Sequence, residues 1–140
     1  MSATATDTYL IFNGNCADAM RFYERTLGGK LDIMTGGQSP VADHLPPGNA
    51  GKILHSRLVF DGGVLMASDD MGSEPYKEMG GFAVALGYQT AAEGKRIFEA
   101  LSKGGKVTMP LGKTFWAEAF GMFVDRFGTP WMITAGPTMP

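Results

Sequence analysis

The chain has 140 residues, of which 44% are hydrophobic, and a formal net charge of -2 at neutral pH. That length and apolar content suit one globular domain burying roughly two thirds of its unfolded-chain surface, and the weak negative charge excludes strong attraction to nucleic acid or an anionic membrane. The single cysteine, Cys16, excludes an intramolecular disulfide and a cysteine-based zinc cage. Residues 1–7 show neither a basic nor an apolar leader pattern, and no apolar run approaches the ~20 residues that span a bilayer, so a cytoplasmic location is expected.

The first expected strand covers residues 8–12. Asn15 then stands at the N-cap of a helix whose Cys16, Ala19, Met20, Tyr23 and Leu27 recur at helical spacing. Gly28-Gly29 ends it, because glycine enters the left-handed conformation without a Cβ clash. Strands are expected at residues 31–34, 53–60 and 64–68. The stretch 35–51 between the first two is rich in Gly and Pro and long for a connection, which suits a lid, a ligand loop or an oligomer arm.

After a second irregular stretch at residues 69–80, the pattern restarts. A strand at 82–86 leads to a helix opened by the capping box Thr90 and Glu93, with Ile97, Phe98 and Leu101 on one face and Gly104-Gly105 at its end. Strands at 107–111, 115–124 and 130–134 complete a second copy. The order is βαβββ twice, with Gly28-Gly29-Lys30 matched by Gly104-Gly105-Lys106 and Asp61 by Asp125. Such a repeat implies paired supersecondary units.

These residues carry a resemblance. The paired βαβββ order, Phe22-Tyr23 with Leu27-Gly28-Gly29, and the turn Asp125-Arg126-Phe127-Gly128 resemble the vicinal oxygen chelate superfamily of glyoxalases, bleomycin-resistance proteins and ring-cleaving dioxygenases. The segments YLIFNGNCADAMRFY, LHSRLVFDGGVLMASD and VDRFGTPWM are similar to its PhnB-like branch. The resemblance implies an α+β fold in which modules of about 8–68 and 81–135 form a cupped mixed sheet within one domain. It also implies a homodimer, C₂ being the commonest closed symmetry.

The superfamily's enzymes hold a divalent ion at four strand positions, where it acts as a Lewis acid. Carried onto this chain, those positions are Thr8, Met66, Ala83 and Met132, which are not a ligand set. Moving the register by one residue brings in Tyr9, Leu65, Phe82, Val84, Trp131 and Ile133, which add only a phenol. No metal or other cofactor is therefore expected at the usual site. Met66 and Met132 either fill a core or line an apolar cavity, where a flexible thioether adapts to irregular ligands.

Two further side chains bear on chemistry. Alternation along 53–60 puts Ile53, His55, Arg57 and Val59 on one face, away from the helices. His55 and Arg57 then form a donor-rich pair for an anionic or carbonyl-bearing ligand, with His55 a candidate general base. The structural alternative is a carbonyl partner for His55 and a surface carboxylate for Arg57. Glu118 shares a face with Trp116, Phe120 and Met122, and alignment with Leu54 turns it toward the helices unless a bulge switches the faces. Facing the cleft beside His55, it would make an acid/base pair. Phe12 and Trp116 are candidate cavity walls, since rings stack on planar or cationic groups.

The expected function is small-molecule binding of the sequestering or resistance type, with Thr8, Phe12, His55, Arg57, Met66, Trp116 and Met132 around the ligand. The alternatives are a metal-dependent or acid-base lyase, isomerase or dioxygenase using His55 and Glu118, and an interaction module that docks through residues 35–51.

Overall fold

Leu10 and Phe12 occupy one side of strand β1 (Thr8–Phe12) and vanish beneath helix α1 (Cys16–Leu27), with Phe12 wholly shielded from solvent. The helix buries Cys16, Ala19, Met20, Phe22 and Tyr23 as one stripe. Full burial of a side chain the size of Leu10, Phe12 or Met20 stabilises by about 1.5–3 kcal/mol. Strands β2 (Lys30–Thr35), β3 (Ile53–Phe60) and β4 (Gly63–Asp69) complete a mixed sheet in the order β1-β4-β3-β2, in which β1 runs parallel to β4. Gly29 enters β2 with φ of 93°, and a Cβ there would collide with the Val59 carbonyl oxygen.

This computed structural model describes residues 2–138, which form two compact units divided between Lys77 and Glu78. The second unit repeats the first. Strands β5 (Val84–Tyr88), β6 (Lys106–Gly112), β7 (Ala117–Val124) and β8 (Pro130–Thr138) form a sheet ordered β5-β8-β7-β6 with β5 parallel to β8, and helix α2 (Ala91–Ser102) lies between β5 and β6 in the chain. Val84, Leu86, Phe123, Trp131 and Ile133 are buried, and the Phe98 ring of α2 meets Phe123 edge-on at 5.0 Å. Gly94 exists because Ala135 lies where its Cβ would go, so α2 sits close to β8.

Two expectations change in detail and one holds. Asn15 occupies the N-cap position of α1 but makes no side-chain cap bond. Asp69 takes that role from the end of β4, accepting the Cys16 N–H at 3.0 Å. Thr90 does cap α2 by accepting the Glu93 N–H. The strand expected at 115–124 starts at Ala117, because Thr114 and Ala117 close a tight turn by exchanging hydrogen bonds and leave Phe115 and Trp116 outside the ladder.

The inserted stretch folds onto its own unit through two short 3-10 turns, Gly36–Gln38 and Ala42–His44. Asn49 donates to the Met71 carbonyl and Lys52 Nζ to that of Asp70, so the loop is tied to the chain leaving β4. Among the described residues, no helix is long and apolar enough to cross a membrane.

Candidate functional site

Each sheet has one side under its helix and one side open. In the first unit, the open side carries a row that crosses all four strands in register: Tyr9, Met66, Arg57 and Asp32. Opposite charges side by side, as at Asp32 and Arg57, favour such a pairing. His55, paired with Met34 in the next row, stacks its ring against Tyr9 at 6.1 Å with an interplanar angle of 26°. Tyr9 is 45% exposed and Ile11 49%, so the face is apolar and wet together.

A bulge finishes this face. Thr35 pairs with Ile53 and Met34 with His55, which leaves Leu54 as the extra residue. Ile53 turns into the core, where its N–H donates to Asp69 Oδ2 at 2.8 Å. The expected placement of Ile53 on the open face is therefore corrected, while His55, Arg57 and Val59 are exposed there. Leu54 joins Ile11, Ser68, Asp69, Asp70 and Met71 around a recess of about 280 Å³.

In the second unit, the equivalent row is Ala85, Met132, Met122 and Met109. Small residues on β5, Ala85 and Gly87, stand opposite Met132 and Thr134, as Tyr9 and Ile11 stand opposite Met66 and Ser68 in the first unit. Trp116 reaches this face by packing edge-on against Phe120 at 5.2 Å, and against Phe115, which is 84% exposed. Ala117, Ala119, Gly121 and Phe123 take the helix side of β7, which puts the exposed Glu118 on the side of Phe120 and Met122. Its carboxylate lies across Gly136, in the space that a Cβ there would occupy.

These positions sort the expected site residues. His55, Arg57 and Met66 share the open face of the first unit, and Met132, Trp116 and Glu118 that of the second. Phe12 is corrected from a cavity wall to a core residue, because it lies beneath α1 with no exposed surface. Thr8 shares the covered side of β1 with Leu10 and Phe12, and the open position belongs to Tyr9. Ala83 precedes β5, and the residue paired with Met132 is Ala85. Tyr9, Ile11, Leu54 and Ser68 were missed because both sides of β1 are apolar, so alternation there carries no signal, and the bulge leaves no mark in composition.

The paired positions Tyr9 with Met66 and Ala85 with Met132 offer a phenol and thioethers, and His55 and Asp32, which stand in different rows of the first face, are joined by no third donor that would complete a ligand set for a divalent ion. Among the described residues, no group of three His, Cys, Asp or Glu side chains is placed to hold a metal. The residues present do not fit the ion.

A model of the 3-demethylubiquinone-9 3-methyltransferase family matches residues 4–134. Protein YjdN of Escherichia coli K12 is 38% identical over 143 residues, covering 94% of this chain and 95% of its own length. A Pseudomonas aeruginosa protein of known crystal structure superposes with a TM-score of 0.88 at 45% identity, covering 96% of this chain and 99% of its own. A glyoxylase/bleomycin resistance protein/dioxygenase domain from Frankia shares the fold, with a TM-score of 0.61 at 14% identity over 97% of this chain and 93% of its own. The fold is that of the vicinal oxygen chelate superfamily. Within it, the chain belongs to the PhnB-like 3-demethylubiquinone-9 3-methyltransferase family.

Proposed function

We propose that this protein binds a small molecule on the open faces of its sheets, without the divalent ion used by the superfamily's enzymes. The observation that supports the reading is the pair of strand rows, Tyr9 with Met66 and Ala85 with Met132, which present a ring, thioethers and a small side chain and no imidazole or carboxylate. Exposed Tyr9, Ile11 and Val59 beside His55 and Arg57 favour a partly apolar, planar ligand with an anionic or carbonyl group. The homodimer expected from the superfamily is part of the same proposal.

The test pairs two measurements. Calorimetric titration with Ni²⁺ or Zn²⁺ should show no stoichiometric binding. One tight equivalent, lost in His55→Ala, would overturn the metal-free reading. A thermal-shift screen of aromatic compounds should give stabilising ligands, since a hundredfold excess over Kd adds about 2.7 kcal/mol. The shifts should shrink in Tyr9→Ala or Trp116→Ala and persist in Phe115→Ser, and a screen without hits counts against binding.

A further inference from the structure

The groove between α1 and the edge strand β2 lies on the other side of the sheet from the open face. Leu31 and Ile33 form its floor on the helix side of β2, while their neighbours Lys30, Asp32 and Met34 are exposed on the opposite side. Arg21, Glu24 and Arg25 of α1 form its wall, around a volume of about 480 Å³. That is the size of a small-molecule pocket.

The charges in this groove are asymmetric in use. Glu24 turns to the strand, where its Oε2 accepts the Leu31 N–H at 2.8 Å, and its charge offsets one of the two arginines, leaving the groove with an excess of positive charge. Arg21 and Arg25 lie one helical turn apart on the same face. Among the described residues, neither guanidinium has a hydrogen-bond or ion-pair partner. Two like charges so placed repel each other mildly, and an anion between them relieves that repulsion. The repeat sharpens the point: counting from the helix starts at Cys16 and Ala91, Arg21 corresponds to Arg96 and Glu24 to Glu99, but Arg25 corresponds to Ala100. The second cation belongs to the first unit alone.

We infer that this groove is a binding site for an amphipathic small anion, its carboxylate or similar head held between Arg21 and Arg25 and its apolar body lying on Leu31 and Ile33. The guanidinium fork suits a planar carboxylate. The site does not depend on the open-face reading, because it uses none of the same side chains.

The test uses the intact protein and decanoate as probe, followed by amide chemical shifts in nuclear magnetic resonance. Decanoate should move the amides of residues 21–25 and 31–33 and leave those of Tyr9, Met66 and Met132 in place. Arg21→Gln with Arg25→Gln should weaken binding at least tenfold while the spectrum stays folded, and decanamide, which lacks the charge, should bind at least tenfold more weakly than decanoate. Raising salt from 50 to 300 mM should lower the affinity of the native chain and have little effect on the double variant. Shifts confined to the open faces, equal binding of decanamide, or an unaffected double variant would each overturn the proposal.

Discussion

Asp69 holds the start of α1 from the far end of β4: its Oδ1 accepts the backbone N–H of Cys16 at 3.0 Å, across 53 residues of sequence. Its Oδ2 accepts the Ile53 N–H at 2.8 Å, so one carboxylate, 4% exposed, joins β4, α1 and β3. Asn15, the residue placed by sequence to do the capping, leaves its Oδ1 buried without a partner. Asp69→Asn is expected to destabilise by about 2–3 kcal/mol, since hydrogen bonds to a charged acceptor are the strong ones and their loss leaves buried donors unpaired. Asn15→Ala should cost under about 0.5 kcal/mol, because the cap bond that usually makes such a change costly is absent. Urea unfolding of the two variants separates these outcomes, and equal effects would contradict the assignment.

In the second unit a buried aspartate holds a turn: Asp125, the counterpart of Asp61, lies between β7 and β8. Asp125 accepts the N–H groups of Phe127 and Thr129 through Oδ1 and the indole N–H of Trp131 through Oδ2 at 2.7 Å. Trp131→Phe keeps an aromatic ring in the core but removes the donor and leaves a small cavity, and should cost about 2–3 kcal/mol. Asp125→Ala should cost more, because it also frees the turn. Thermal unfolding of both variants tests the order.

Two adjacent glycines differ in what they tolerate. Gly28 has φ of 81° with open space around a Cβ, whereas at Gly29 a Cβ would overlap the Val59 carbonyl and the Phe60 backbone. Gly28→Ala should destabilise by about 1–3 kcal/mol from backbone strain alone, because φ of 81° with ψ of -170° is a conformation that essentially only glycine adopts. Gly29→Ala should exceed it by at least about 2 kcal/mol, since β2 must shift away from β3. Denaturant midpoints decide between them.

Alkaline pH should reveal Cys16. Burial pushes its thiol up to about 12; the Ser56 hydroxyl at 3.6 Å works against that, and the negative charge of Asp69 adds to it. The folded state then keeps a proton that the unfolded chain releases near pH 8.5, so this contribution is fully present below that pH and is lost as pH rises toward 12. Between those limits stability should fall by about 1.4 kcal/mol per pH unit for this one group. Tyr88, also raised by burial, adds a fall of the same sign that starts higher. Urea midpoints from pH 8 to 10 should therefore decline less in Cys16→Ala than in the native chain, and parallel declines would refute the assignment.

The repeat was legible in the sequence because its markers are local. A capping box at Thr90, glycine pairs where helices stop, and apolar residues at helical spacing each reflect one stretch of chain, and α1, α2 and most strands lie where those signals put them. The parity of β3 was legible too, since Ser56 and Leu58 alternate with His55 and Arg57.

What tertiary structure decided is which side of an ambiguous strand faces the helix, and which distant group satisfies a local need. Every residue of β1 after Thr8 is aromatic or aliphatic, so only packing beneath α1 assigns Phe12 to the core and Tyr9 to the open face. One extra residue at Leu54 turns Ile53 inward and opens the recess beside Ser68, through a bulge that depends on pairing with Thr35. The cap of α1 passed from Asn15 to Asp69 for the same reason. A backbone donor needs an acceptor, but its chemistry does not specify how far along the chain that acceptor stands.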